Sequence, residues 1–345
     1  MKLSKKNVAF IVMVIVIVAV LGTYFLYPLL NPQKAEVVVN VAVADKSCYE
    51  PWWIADKLGY FKDEGVTVKY MVVSGGGAAA TALLSGQVDL AGMGADPMIR
   101  VFNARDGDKI VARWQIGFSA CDYAVRTDSG INLTDATTLL GKKMGMDTTT
   151  AYYSVYLSYL TDCVKDGLLT EDQKDTLVGA IIHTDFADLV PALIQGSLDV
   201  ISGGSYNSIA VAQGNGAIEM QMDPYKHRFS VCLLASEIAM SEKSYELIKV
   251  LEVLQRACDY INDPGTFNDA CQIVVDVYGG MLTVELQRNY YALSTWGLGF
   301  NQTDIDYIQF VYIISYPETA LNVTTLFEPK YLKEIKGNDF TWPTG

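Results

Sequence analysis

Polar groups able to hold a small molecule gather in five short stretches, each where an apolar run gives way to a turn. Asp45 to Trp53 reads DKSCYEPWW and supplies Ser47, Cys48 and Tyr49, then Trp52 and Trp53. Aromatic faces at this density sandwich an organic ring or a cation, or else open a helix with one indole in the core. Ser74, Gly75, Gly76 and Gly77 precede a helical pattern. Their N–H groups would lie at the positive end of a helix dipole, where an anion is stabilised. In Gly94, Ala95, Asp96 and Pro97, the last two suit the cap and first position of a helix, leaving the backbone of Gly94 and Ala95 as the better contacts. Thr148, Thr149 and Thr150, after Asp147, offer hydroxyls and helix-start amides to carboxylate, sulfonate or nitrate oxygens, or a simple cap. His183, Thr184 and Asp185, then Ser202, Gly203, Gly204, Ser205 and Tyr206, complete the wall. A lone histidine at a strand end reads as a hydrogen-bonded structural group, and Asp185 as a cap.

No catalytic constellation accompanies them. Neither a GxGxxG nor a GxxxxGK[ST] loop is present, and there is no GxSxG elbow and no HExxH. Two histidines and the lack of a CxxC pair exclude a zinc site of the usual kind, and nothing calls for a cofactor. Binding without chemistry is the simpler reading.

The elements that must position these stretches are announced by a repeat. Ala82 to Gly94 reads ALLSGQVDLAGMG and Ala192 to Gly204 reads ALIQGSLDVISGG. In both, an apolar helix ends at a glycine able to take positive φ (Gly86, Gly196), and a short buried strand runs into a glycine loop. Two copies so far apart indicate two similar lobes rather than a solenoid.

Each copy sits in an alternating series expected to form a mainly parallel sheet. The first series is strand 37–44, helix 51–58, strand 66–73, helix 78–84 and strand 88–93; the second is strand 143–146, helix 151–165, strand 180–183, helix 187–195 and strand 198–202. Residues 123–126 read as a strand leading out of the first lobe and 229–235 as the return, followed by helices over 245–262, 266–278 and 284–291. Ligands on such sheets gather beyond the carboxyl ends of the strands, where the five stretches fall.

Half of the 345 residues are hydrophobic, enough for one large or two medium cores. Lys2, Lys5 and Lys6 precede an apolar run from Val8 to Tyr27 with no acidic residue before Glu36. This predicts an uncleaved transmembrane helix with the rest of the chain outside the cytoplasm. The net charge of −13 argues against nucleic-acid partners while leaving a cleft free to set its own potential. Six cysteines permit disulfides in an oxidising compartment, and sequons at Asn132, Asn301 and Asn322 fit an exported surface.

With these residues in view, the chain resembles the substrate-binding proteins of nitrate, sulfonate and taurine ABC importers, the group that includes the THI5/NMT1-like thiamine-precursor binders. The resemblance is carried by PWWIADKLGYFKDEGVTVKY (Pro51 to Tyr70), LLSGQVDLAGMGADPMI (Leu83 to Ile99) and DSGINLTDATTLLGKKMGM (Asp128 to Met146), with ALIQGSLDV and FEPKYLKEI behind them.

It implies an α/β, two-lobed periplasmic-binding-protein-like fold (type 2), preceded here by the N-terminal transmembrane helix. The expected division is 1–35 anchor and linker, 36–122 with 232–345 as lobe I, and 123–231 as lobe II with the hinge strands. It further implies a monomer that captures a small organic anion and passes it to an ABC permease and its ATPase, with contacts from Ser47 to Tyr49, Ser74 to Gly77, Gly94 to Asp96, Thr148 to Thr150 and Ser202 to Tyr206. Under that fold Cys121 and Cys232 lie on neighbouring inter-lobe segments and could pair. The alternatives are a thiamine-precursor pyrimidine or other heterocycle held between Tyr49 and the tryptophans, and an enzyme on the same fold. The cysteine-rich stretch of the yeast-type pyrimidine synthases is absent.

Overall fold

The computed structural model describes residues 37–44, 47–118, 123–203, 216–221, 224–225, 228–279, 282–292, 294–316 and 321–337. The expected membrane anchor lies outside them, as do Tyr206 and Cys121. Among the described residues no helix is long and apolar enough to cross a bilayer.

In chain order, β1 (Val38–Ala44), α1 (Glu50–Lys57), the single turn α2 (Tyr60–Asp63), β2 (Thr67–Val73), α3 (Gly76–Leu84), β3 (Leu90–Met93) and α4 (Ala95–Ala104) lead to the long strand β4 (Lys109–Phe118). Then come β5 (Tyr123–Arg126), β6 (Met144–Met146), α5 (Ala151–Lys165), α6 (Glu171–Gly179), β7 (Ile182–His183), α7 (Leu189–Ile194), β8 (Val200–Ser202) and β9 (Ile218–Gln221). The chain continues with β10 (Arg228–Ala235), α8 (Glu237–Glu242), α9 (Ser244–Asn262), α10 (Phe267–Val277), α11 (Val284–Ala292), β11 (Ser294–Gly299), α12 (Gln302–Ser315) and α13 (Lys330–Lys336).

Two sheets result, ordered β11-β4-β10-β3-β1-β2 and β7-β6-β8-β5-β9. In the first, β1 is parallel to both β2 and β3, and β10 runs antiparallel between β3 and β4. In the second, β6 is parallel to β7 and β8, and β5 is antiparallel to β8 and β9. Residues 123–126 therefore belong to the second sheet, and the strand that closes the first before the chain leaves it is β4. Lys109, Arg113 and Gln115 break the apolar pattern of β4, so its pairing with β10 and β11, not its own period, makes it a strand.

The repeat does the same mechanical work twice. Gly86 (φ 72°) and Gly196 (φ 76°) both end their helices in the left-handed region. Three residues later, the Asp89 carboxylate accepts from the Asn40 amide at 2.7 Å and the Asp199 carboxylate from the Lys143 amide at 2.9 Å. Each aspartate thus pins the neighbouring strand, β1 or the entry to β6, in parallel register beside its own.

Around the first sheet, α9 turns Leu247, Val250, Leu251, Leu254, Cys258 and Ile261 inward at helical spacing, and α13 adds Tyr331 and Leu332. The C-terminal helices therefore return to the first sheet, as their apolar spacing predicts. The second sheet is covered on both faces: Tyr123, Val125, Met144 and Val200 meet Tyr156 and Tyr159 of α5, while Ala124 and Ile201 meet Leu189 and Leu193 of α7. Arg113 on β4 reaches Asp304 at the start of α12 at 3.1 Å, with both side chains nearly enclosed.

Asn132, Asn301 and Asn322, the sequon asparagines, each accept a backbone N–H two or three residues on. Local turns and caps account for their presence. Cys232 carries a free thiol, fully buried on β10, so the pairing with Cys121 is not formed. Burial pushes this thiol well up from its ordinary range.

Candidate functional site

Four helix starts meet at one cavity of about 50 Å³, at the carboxyl ends of β1, β3 and β6. Cys48 and Tyr49 come from the turn before α1, Gly76 opens α3, Gly94 and Pro97 open α4, and Thr150, Ala151 and Tyr152 open α5; Met93 and Val231 close the apolar side. None of these four helices has a side-chain N-cap hydrogen bond. The first-turn amides of a helix have no acceptor within it, so their partial positive charge is directed at whatever occupies this space. No lysine, arginine, histidine or carboxylate lines the cavity among the described residues.

The walls approach each other closely across the two sheets. A Cβ on Gly94 would meet the Cβ of Ala151 at 2.4 Å, and one on Gly77 would meet Thr149 Oγ1 at 2.9 Å. Arg100, one turn beyond Asp96, donates to the Thr149 carbonyl at 2.6 Å. Ser154, on the inner face of α5, donates to Asp96 Oδ2 at 2.6 Å and shares a 2.9 Å hydrogen bond with the Tyr307 hydroxyl of α12. Burial pushes the Asp96 carboxyl up to about 6, against the downward pull of the Ser154 hydrogen bond and of Arg100.

Asp96 is therefore not the cap expected from Asp-Pro. Gly94 occupies the cap position in an extended conformation, and the Asp96 carboxylate is spent on Ser154.

Of the expected contacts, Cys48, Tyr49, Gly76, Gly94 and Thr150 line the cavity. Ser47 opens the turn that delivers the first two, Ala95 begins α4, and Gly75 is the buried residue preceding α3. Tyr49 is fixed by its hydroxyl, which donates to the Gly92 carbonyl at 2.7 Å, and burial, with Cys48 beside it, raises its pKa well above the ordinary value.

Thr148 shares a 3.1 Å hydrogen bond with His183 Nδ1, whose side chain is half exposed on the far edge of the second sheet. Thr149 donates to Asp147 at 2.6 Å and Thr150 to the Asp147 carbonyl at 2.8 Å, so the three threonines form a turn in which Thr150 alone reaches the cavity. Ser202 is buried with its hydroxyl unpartnered among the described residues, and Gly203 (φ 93°) lets the chain pass 2.9 Å from the Tyr152 ring.

Trp52, Trp53 and Ser74 do not line the cavity. Trp52 is fully buried, stacked on Phe61 with ring centroids 6.2 Å apart and edge-on to Tyr70. Trp53 tilts against Tyr70 at 5.2 Å, and Ser74 is exposed. On a helix, side chains one position apart diverge by about 100°, so the pair cannot both follow Tyr49 into the cavity. Tyr152, Ser154 and Tyr307 were not among the expected residues. Tyr152 and Ser154 lie just inside a helix whose start was read as the site, but nothing local marks Tyr307, which arrives from 153 residues away.

Comparison with known proteins bears on this geometry. The family model described as NMT1/THI5 like matches residues 49–266. No curated protein matches the chain in sequence. Among solved structures, the alkanesulfonate-binding protein SsuA from Xanthomonas axonopodis pv. citri, bound to MOPS, superposes with a TM-score of 0.67 at 14% identity, covering 86% of this chain and 100% of that one. The periplasmic nitrate-binding protein NrtA from Synechocystis PCC 6803 gives 0.64 at 12% identity over 88% and 89% of the two chains. The desulfurization enzyme DSZB gives 0.57 at 10% identity over 86% and 98%. At these identities the similarity establishes the two-sheet periplasmic-binding-protein-like fold.

Proposed function

Because the chain belongs to the NMT1/THI5-like family, we propose that it is a solute-binding protein that captures a small organic anion, of sulfonate or nitrate type, at the meeting point of its four helix starts. The observation that carries this reading is the cavity: uncapped N-termini of α1, α3, α4 and α5 aimed at a space whose described lining has no fixed charge of either sign. Backbone dipoles stabilise an anion there without the desolvation of a buried lysine or arginine. The buried, unpartnered Ser202 hydroxyl supports a polar ligand group or ordered water near the end of β8.

The cavity holds on the order of four water-sized groups, the scale of an oxyanion head. A longer substituent needs the two sheets to part, and we assign residues 36–122 with 232–345 to one lobe and 123–231 to the other, opening about β4 and β10. SsuA and NrtA bind sulfonates and nitrate on this fold, which supports the ligand class, a role in ABC import beside a permease and its ATPase, and a place outside the cytoplasm as a monomer. The N-terminal apolar run would tether it.

A heterocycle sandwiched by Tyr49 and the tryptophans finds less support, since Trp52 is committed to the core. DSZB has the same fold, so fold alone does not separate binding from turnover. Cys48 stands in the lining with no histidine or carboxylate there to activate it, which favours binding.

Native mass spectrometry of the purified chain, followed by calorimetric titration with methanesulfonate and nitrate, tests the reading. A bound anion displaced by competing oxyanion is expected. Turnover of the bound molecule, or affinity for neutral pyrimidines unaffected by oxyanions, would overturn it.

A further inference from the structure

We propose that Asp96, Ser154 and Tyr307 form a clasp beside the cavity that ties helices of the two sheets together and makes their closure draw a proton onto Asp96. The clasp stands on geometry alone; its link to solute affinity rests on the capture reading above.

Ser154 has one hydroxyl proton and three oxygen neighbours: Asp96 Oδ2 at 2.6 Å, the Ala151 carbonyl at 2.9 Å and the Tyr307 hydroxyl at 2.9 Å. When Asp96 is ionised, Ser154 donates to the carboxylate and accepts from Tyr307. When Asp96 carries a proton, it donates to Ser154, whose own proton turns to the Ala151 carbonyl. Both arrangements satisfy every oxygen in the trio. The ionised one alone holds a desolvated charge, in a residue only 9% exposed.

The charged and titratable groups around Asp96 compensate that charge in part. Arg100 on its own helix is close, but its Nη2 is engaged by Thr149 across the gap. From α12 come Tyr307 and Asp304, the latter held by Arg113. β10 brings Cys232, neutral because burial raises its pKa, and α3 carries no titratable side chain. Parting the sheets would hydrate Asp96 and return it to the ordinary carboxylate range of 3.8, whereas in the closed structure burial holds it at about 6. The closed form therefore binds the proton more tightly, so closure strengthens as pH falls through about 6 and is insensitive to pH well above it. The same proton removes a negative charge beside the cavity, so both effects favour an anion at lower pH.

Hydrogen–deuterium exchange of the full chain at pH 5.5 and pH 7.5, with labelling times scaled for intrinsic exchange, tests the clasp without any solute. Peptides covering Gly94–Arg100 and Thr149–Ser154 should be about fourfold more protected at pH 5.5. Asp96→Asn, which imitates the protonated group, should be equally protected at both pH values, and Ser154→Ala less protected at both. Equal protection of the native chain at the two pH values, or a pH effect retained in Asp96→Asn, overturns the clasp.

Titration with methanesulfonate, which does not itself ionise in this range, forms the second arm. Its affinity should tighten about fourfold at pH 5.5 in the native chain and not in Asp96→Asn. Binding that is identical at both pH values overturns the clasp and spares the capture reading. No binding alongside pH-dependent protection supports the clasp and removes methanesulfonate as a solute.

Discussion

Two residues bordering the cavity, Gly94 and Asp96, lie two positions apart and constrain it by different physics. Gly94 has φ −83°, which any residue adopts, so its lack of a side chain concerns space alone: a methyl there would sit 2.4 Å from the Ala151 Cβ. Gly94→Ala should leave thermal stability nearly unchanged, because α4 can move with its own sheet. It should weaken methanesulfonate binding by the roughly 1–3 kcal/mol that overpacking costs, read as a five- to hundredfold rise in Kd by calorimetry. Unaltered affinity would mean that the contact of α4 with α5 is not part of the binding state. Tyr49 makes the complementary case. Tyr49→Phe keeps the ring and leaves the Gly92 carbonyl without its buried donor, a loss of about 1–2 kcal/mol in unfolding free energy by denaturant titration with unchanged m. An unaffected midpoint would mean that water replaces the donor.

Local pattern carried the elements well where burial and periodicity agree, and poorly where a partner far along the chain decides. Helix Ala151–Lys165 and strand Tyr123–Arg126 fall at their expected bounds, and the repeated glycine-turn-aspartate unit marked both sheets because its mechanical role, ending a helix and pinning a parallel strand, is written in adjacent residues. β4 escaped notice since its sheet neighbours, β10 and β11, lie more than a hundred residues away and two of its positions are basic. The site divides the same way. Helix starts are announced by glycine and threonine, so Gly76, Gly94 and Thr150 were legible, whereas Trp52 looked like a ligand contact only because its commitment to Phe61 and Tyr70 is tertiary. Arg113 shows what such a long-range commitment is worth. Its partner Asp304 also closes the capping box that starts α12, accepting from the Asn301 amide at 2.9 Å. Asp304→Asn should destabilise by about 3–5 kcal/mol, the cost of leaving a buried cation without its counterion, seen as a lowered urea midpoint. A shift under 1 kcal/mol would mean that water reaches Arg113.

At the scale of the molecule, the acidic surface and the uncharged cavity set opposite conditions for an anion. A net charge of −13 repels it at long range, so association should be slower than for a neutral protein and should quicken as salt screens the surface. The bound anion meets only helix starts, hydroxyls and apolar walls, and it ties together elements of both sheets, since Gly76 and Gly94 belong to one and Thr150 to Ala151 to the other. A ligand that joins both halves stabilises the folded state by mass action, about 2.7 kcal/mol at a hundredfold excess over Kd. Methanesulfonate at that excess should therefore raise Tm by several degrees, in one transition if the halves unfold together. The on-rate should rise between 10 and 150 mM sodium chloride while the off-rate stays nearly constant, because chloride screens the surface before it competes inside. An on-rate that falls with salt would place the attracting charge on side chains at the mouth and not on the backbone within.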